Sequence, residues 1–167
     1  VLQENYAKDG VLKLPKFIQL LCIDTDKPAV DHKAEAGTRL ADEDFFKIHV
    51  TDAKEMMSHF DLEDFRHIAN WFPKSLKPYA DTIETGAHQF RFLGRFGLFA
   101  QVNKIYSAIL DKLKDVINIG VGNPDDKIVP ATDKGKIATP EIVVVGSLCG
   151  GSGARMFLDV AYLAKMA

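Results

Sequence analysis

The feature that most constrains this chain is a glycine-rich segment between an apolar run and an amphipathic helix. Residues 142–145 are consecutive β-branched aliphatic residues, Gly146 ends the run, and helical spacing resumes at Ser152. Such a run is typical of a strand buried on both faces of a parallel sheet. The glycines let backbone N–H groups approach a ligand closely, and the first N–H groups of a helix lack internal partners. Together with the helix dipole, this pattern predicts a site for a phosphate or similar anion at residues 146–155.

The glycine spacing does not fit two common phosphate loops. A Walker-type loop counted from Gly146 reaches its last glycine at Gly151, where a lysine should follow and Ser152 stands instead. The dinucleotide fingerprint counted from Gly151 passes Gly153 and then meets Met156 rather than a third glycine. The residues alone therefore predict an anion site of unspecified class. They also leave open a tight turn whose glycines only permit close packing.

Two further apolar segments complete the strand pattern. Residues 17–23 form a second continuous apolar run, which a polar cluster follows, and residues 45–50 are a shorter strand candidate. These segments alternate with helical patterns along the chain. Alternation of this kind predicts an α/β domain with a mainly parallel sheet.

Two segments before the glycine-rich turn carry apolar residues at helical spacing. The first is 61–72, with Asp61 as the expected N-cap, and the second is one long helix over residues 90–118. Gly94 and Gly97 lie in the first turns of the long helix, where they permit close approach by another group.

Composition and charge argue against several classes of protein. The 167 residues fit one domain, and the formal net charge of -2 offers neither a basic surface for nucleic acid nor an acidic tail. The longest apolar runs are far too short to span a membrane, and the polar start does not resemble a signal peptide. Cys22 and Cys149 lie in or beside apolar runs, and we expect reduced, buried thiols in a cytoplasmic protein.

Three separated motifs resemble the tubulin superfamily. The string CGGSGAR at 149–155 resembles the tubulin signature loop, which reads GGGTGSG or GGGTGTG in tubulins and in the bacterial division protein FtsZ. The longer string SLCGGSGARMFLDVAYLAK is more similar to a bacterial tubulin-like family that carries SLCGGTGSG. CIDTD at 22–26 and GAHQFRFLGR at 86–95 are similar to two loops of that family, the second of which reads GAGQxRxxGR there. The motifs occur in the right order, and the resemblance covers nearly the whole chain.

The resemblance implies a Rossmann-like three-layer α/β domain of the tubulin/FtsZ nucleotide-binding type. Residues 1–167 would be an incomplete piece of it, because the family's first strand and first glycine loop precede this chain. The guanine-recognising helix and the carboxylates that promote hydrolysis would follow Ala167. The absence of an initiator Met and the helical pattern at the end agree with this expectation of a fragment.

The resemblance also implies a site for GTP or GDP with Mg²⁺. Backbone N–H groups of residues 150–153 would wrap the phosphates, and residues 86–87 would approach the terminal phosphate. Two acids would lie near the nucleotide or its magnesium. Arg91 and Arg95 could neutralise phosphate charge, or could belong to a solvated helix face. The expected nucleotide-binding residues are Gly146, Cys149, Gly150, Gly151, Ser152, Gly153, Ala154, Arg155, Gly86, Ala87, His88, Asp24 and Asp26.

The function implied is GTP binding with head-to-tail self-association into filaments. GTP would be hydrolysed at the subunit interface of the full-length protein, and this segment alone would be inactive. Ala154 and Arg155 depart from the family pattern. An arginine at 155 is strained if that backbone needs a positive φ, whereas a helical backbone would let it reach the phosphates. A nucleotide-sensing scaffold without turnover and a different α/β enzyme with a phosphorylated substrate remain alternatives.

The remaining polar residues predict neither a metal site nor a catalytic set. His59, Glu63 and His67 are spaced for one helix face, but His59 precedes the expected N-cap, so we expect exposed side chains rather than a metal site. Asp159 is expected to be a surface acid. The spacing gives no nucleophile, histidine and acid set, so no catalytic residue is assigned.

Overall fold

The computed structural model describes residues 7–8, 11–12, 14, 17–26, 40–76, 78, 91–122 and 140–167. Strand β1 (Ala7–Lys8) pairs antiparallel with β2 (Val11–Leu12). Strand β3 (Cys22–Asp24) pairs in parallel with β4 (Phe45–Lys47), with Ile23 opposite Phe46. The described residues therefore combine a small parallel sheet with helices, which is compatible with the predicted α/β class.

Helices make up most of the regular secondary structure among the described residues. The α-helices of the described residues are α1 (Ala53–Ser58), α2 (Arg66–Ala69), α3 (Arg91–Ala100), α4 (Val102–Gly122) and α5 (Gly153–Met166). Helix α3 contacts both α4 and α5, and α4 also contacts α5. Helix α5 is the helix predicted to follow the glycine-rich turn, and the structure confirms it.

The helix predicted over residues 90–118 is broken into α3 and α4. At the break, the Gln101 N–H bonds to the Leu98 carbonyl at 3.1 Å, which is the tighter three-residue spacing. The Gln101 side-chain amide donates to the backbone carbonyl of His49. The apolar spacing continues across Gln101, so the break could not be read from periodicity.

The helix predicted over residues 61–72 is also shorter than expected. A 3₁₀ turn (Glu63–Phe65) comes first, preceded by Leu62 without a side-chain capping bond, and α2 follows as a single turn. The prediction that Asp61 is an N-cap was therefore wrong. The preceding helix α1 was not predicted.

Two predicted strands differ from the structure. Of the run at 17–23, the strand keeps Cys22 and Ile23 and then extends to Asp24. Residues 142–145 form no strand with any described residue, and Val143 and Val145 are 74% and 89% exposed. An apolar composition favours burial, but a strand also needs a neighbour that accepts its ladder hydrogen bonds.

Residues 140–146 line an apolar cavity of about 780 Å³. Residues 17–21 line the same cavity, together with side chains of α4 and α5, among them Ile109, Met156 and Val160. Both segments therefore border one apolar space.

The core is centred on α3. Leu93, Phe96 and Leu98 are fully buried, and Ile105 of α4 is fully buried beside them. The Phe72 ring packs edge-on against Phe96 with ring centroids 5.5 Å apart. Phe96 is therefore a core residue, and α3 packs against both α4 and α5 around it.

We expect Phe96→Ala to lower the free energy of unfolding by about 3–5 kcal/mol, because it removes a fully buried ring. Urea denaturation monitored by circular dichroism measures this change. Val145→Ala is the matched control, since the side chain is 89% exposed, and we expect it to change stability by less than about 0.5 kcal/mol. Similar effects of the two substitutions would contradict the described core.

Candidate functional site

The glycine-rich loop leads directly into helix α5. Ser152 precedes the helix with a right-handed backbone (φ −73°, ψ −65°), and its side chain makes no capping hydrogen bond. The Ser152 carbonyl accepts the N–H groups of Arg155 at 3.4 Å and Met156 at 3.1 Å. Arg155 therefore lies inside the helix, where its backbone needs no positive φ. The strain considered for an arginine at this position does not arise.

A row of backbone donors in the loop has no partner within the described part of the chain. The N–H groups of residues 150–154 have no acceptor in ordinary hydrogen-bond geometry among the described residues, whereas the Cys149 N–H donates to the Ser147 hydroxyl at 3.2 Å. These donors lie where the dipole of α5 adds positive potential. The arrangement suits an anion with several oxygen atoms, such as a phosphate group.

The end of strand β3 is hydrogen-bonded to this loop. The Ser152 hydroxyl donates to Asp24 Oδ1 at 2.7 Å, and the Thr25 N–H donates to the same oxygen at 2.6 Å. The hydroxyl oxygens of Thr25 and Ser152 are 3.0 Å apart, and Thr25 is only 2% exposed. The structure thus brings Asp24 next to the loop, while Asp26 lies exposed two residues further on.

Helix α3 touches the loop through Gly94. A Cβ atom built on Gly94 would lie 2.6 Å from the Gly151 carbonyl oxygen and 3.0 Å from the Ser152 Cα. Those atoms are backbone, so a side chain at position 94 would displace the loop or the helix. The prediction that Gly94 permits close approach by another group is confirmed.

The two candidate arginines of α3 have different partners. Arg91 is exposed, and its Nη2 donates to the Leu148 carbonyl at 3.2 Å. Arg95 forms a two-pronged pair with Asp159 of α5, with N–O distances of 2.9 and 3.1 Å. The Arg95 guanidinium also lies 4.7 Å from the centre of the Trp71 ring. Arg95 is therefore engaged with α5, and Asp159 is not the surface acid that the sequence suggested.

Some predicted residues cannot be placed against the loop. Gly86, Ala87 and His88 lie outside the described residues, so their approach to a terminal phosphate stays a prediction. His59 directly follows α1, and its Nδ1 lies 2.9 Å from the Glu55 carbonyl oxygen, while His67 belongs to α2. Within the described ranges, no three His, Cys, Asp or Glu side chains are grouped as metal ligands.

The two cysteines occupy different environments, and neither forms a disulfide. Cys149 is exposed in the loop, so the expectation of a buried thiol was wrong for it. Cys22 is half-buried in β3, and burial, followed by the negative charge of Asp24, raises the pKa of its thiol. A raised thiol pKa means less of the reactive thiolate at a given pH.

Sequence reasoning missed the contacts that hold the loop. Thr25 lies in the motif at 22–26, but the sequence offers no reason to assign it a role, and no sequence pattern connects Asp159 with Arg95. The only sequence signal was the polar pair after an apolar run, which indicates the end of a strand but not its partner. Contacts between residues this far apart in the chain have no local pattern.

One of the comparisons with known proteins identifies a family. A family model described as "Tubulin like" matches residues 1–167. Comparisons with curated proteins and with solved structures give no significant match. No helix among the described residues is both long and apolar enough to cross a membrane.

We expect Cys149 to react with iodoacetamide at pH 8 at least about tenfold faster than Cys22, because Cys149 is exposed and the Cys22 thiol pKa is raised. Mass spectrometry of timed samples measures both rates. In 8 M urea the difference should largely disappear. Equal rates in the folded protein would contradict the environments described for the two thiols.

Gly94→Ala should lower the free energy of unfolding by about 1–3 kcal/mol, because the new methyl group overlaps the Gly151 carbonyl. Thermal and urea denaturation measure the loss. Gly146→Ala is the control, since the nearest atom to its added Cβ would be at an ordinary 3.6 Å. A Gly94→Ala protein as stable as the Gly146→Ala protein would refute the tight contact.

Proposed function

Because the chain belongs to the tubulin-like family, we propose that it binds the phosphates of a guanine nucleotide on the loop at 146–155. The domain around the loop would be the three-layer Rossmann-like type that the resemblance implies. The two free cysteines are typical of a reducing compartment, so the cytoplasm is the proposed location.

One observation carries the proposal: Gly150 belongs to the row of N–H groups at 150–154 that have no acceptor among the described residues, and no described contact requires a glycine there. A Cβ built on Gly150 would meet no atom of the described residues within 4 Å beyond its chain neighbours, and the φ of Gly150 lies outside the left-handed region. Neither packing nor backbone strain therefore explains a glycine here. A ligand that lies against the backbone explains it, because a side chain would occupy the ligand's space.

Charged side chains beside the loop fit a nucleotide with magnesium. Arg91 contacts the loop backbone, and Arg155 is exposed in the first turn of α5, so both can offset phosphate charge. Asp26 is an exposed carboxylate near the loop, the kind of oxygen ligand that Mg²⁺ prefers. Mg²⁺ would neutralise phosphate charge there. Gly86, Ala87 and His88 are proposed to complete the site at the terminal phosphate.

Nucleotide-dependent self-association follows from the family membership as a second part of the proposal. Subunits would stack head to tail, a contact that does not close on itself, and GTP would be hydrolysed between them in the full-length protein. Arg155 lies in α5, so its departure from the family pattern carries no backbone strain. A scaffold without turnover stays the alternative.

We expect the full-length protein to bind fluorescent GTP, with displacement by GTP at concentrations at least about tenfold lower than by ATP. Gly150→Ala should weaken binding by at least about tenfold, because its methyl group would occupy the ligand's place beside the N–H row. Fluorescence anisotropy in the presence of Mg²⁺ measures both effects.

Val145→Ala serves as the matched control, since residue 145 is exposed and precedes the loop. Its affinity should equal that of the wild type, and all three proteins should unfold at similar temperatures. Unchanged affinity in Gly150→Ala would move the nucleotide away from this loop. Displacement by phosphorylated metabolites but not by GTP would favour the different α/β enzyme.

A further inference from the structure

We infer that Arg95 is a positioning residue for the proposed phosphate site, which it serves through its pair with Asp159 rather than by binding a phosphate itself. This role rests on the proposed function, since the donors that Arg95 would position are the N–H groups at the start of α5. It replaces the expectation that Arg95 neutralises phosphate charge.

Helix α3 contacts the glycine-rich loop and α5 through two neighbouring residues. Gly94 lies against the backbone of Gly151 and Ser152, and the next residue, Arg95, bonds to Asp159 in the second turn of α5. From Ser152 to Asp159 a helix rises by roughly 10 Å. Helix α3 therefore holds the loop and the helix that follows it at two separate points along their length.

The second contact adds a direction that apolar packing supplies only weakly. Met156 and Ala164 bury one face of α5 in the core, but the hydrophobic effect is non-directional and fixes the rotation of a helix less strictly than hydrogen bonds do. Arg95 and Asp159 meet in two hydrogen bonds, of 2.9 and 3.1 Å, which fix both distance and angle. Without the pair, α5 could turn about the Gly94 contact, and its first N–H groups would turn with it.

The Arg95 side chain is itself held in place. Its guanidinium lies 4.7 Å from the centre of the Trp71 ring and 5.2 Å from that of the Phe99 ring, both within the range of a cation–π contact. Arg95 would have to give up these contacts to follow a ligand, which favours a fixed role. Because a guanidinium has five N–H donors, direct binding of a phosphate is the competing role.

The two roles predict opposite effects of Asp159→Ala on the affinity of the full-length protein for fluorescent GTP. If Arg95 bound a phosphate directly, the substitution would release its guanidinium and remove a negative charge, so GTP would bind more tightly. If Arg95 acts through Asp159, we expect binding to weaken by at least about fivefold, because displaced donors meet the phosphate poorly. Fluorescence anisotropy in the presence of Mg²⁺ measures the change.

Three further variants test whether the pair acts as a unit. Arg95→Ala should weaken binding about as much as Asp159→Ala, and the double variant should be weaker than either by no more than about twofold. Arg95→Lys keeps the charge but cannot form the two-pronged pair, so we expect it to bind nearly as weakly as Arg95→Ala. Asp159→Asn loses one prong and should also weaken binding. These two conservative variants keep the test open if an alanine variant does not fold.

Asp44→Ala is the matched control for a loss of stability alone. Asp44 pairs with Lys112 of α4, and its side chain is 19% exposed, as is that of Asp159. Asp44 precedes β4, whereas the loop contacts Asp24, which pairs with the far end of that strand. Both substitutions leave a partly buried cation without its partner and should lower stability comparably. Asp44→Ala should nevertheless bind GTP within about twofold of wild type, since its site is distant from the loop.

A second measurement needs no nucleotide. In unliganded protein that carries isotope-labelled glycine, the amide resonances of the loop glycines at 150–153 should move in Arg95→Ala and in Asp159→Ala. They should stay in place in Asp44→Ala. A pair that only stabilised the fold would leave these chemical shifts at their wild-type values, because they report the environment of the loop in the folded protein.

Tight binding of GTP by Asp159→Ala, equal to or better than wild type, would overturn the positioning role. Equal losses of affinity in Asp159→Ala and Asp44→Ala, or fully additive losses in the double variant, would overturn it as well. A wild-type protein that binds no GTP would instead refute the proposed function. Glycine resonances that are unchanged in both variants of the pair would then overturn the positioning role independently.

Discussion

The position of the glycine-rich loop depends on the direct backbone contact between helix α3 and Gly151. Gly94 leaves no room for a side chain at this contact, so the loop lies as near to the helix as two backbones allow. The next residue, Arg95, holds Asp159 of α5 with two hydrogen bonds, and its guanidinium lies over the Trp71 and Phe99 rings. Leu93, Phe96 and Leu98 of α3 are fully buried, so the helix that the loop contacts is itself fixed in the core.

A rigid loop matters because an anion site made of backbone donors works through preorganisation. Donors that already point at the ligand need no rearrangement when it binds, and side-chain entropy is not lost. In the proposed site, the N–H groups of residues 150–154, which have no acceptor in ordinary hydrogen-bond geometry among the described residues, would supply such donors. The Gly94 contact and the hydrogen bond of Ser152 to Asp24 both hold the loop against neighbouring elements.

The sequence predicted those parts of the molecule that have a local cause. Glycine spacing before an amphipathic run indicated both the loop and helix α5, and Gly94 in the long helical pattern indicated a close contact. The bonds of Ser152 to Asp24 and of Arg95 to Asp159 join distant parts of the chain, and no periodicity encodes them. Residues 142–145 show the opposite case. Their apolar composition predicted a buried strand, but composition does not show which neighbouring strand would pair with it.

That exposed segment also affects how solutions of this chain behave. Residues 142–145 are uncharged and β-branched, and among the described residues they have no ladder partner. An exposed apolar segment without a ladder partner is a template on which other chains can pair edge to edge. Such pairing would add to the light scattering from the filament growth proposed for the full-length protein. Edge pairing proceeds without nucleotide and lacks a sharp critical concentration, so scattering alone is not a measure of tubulin-like polymer.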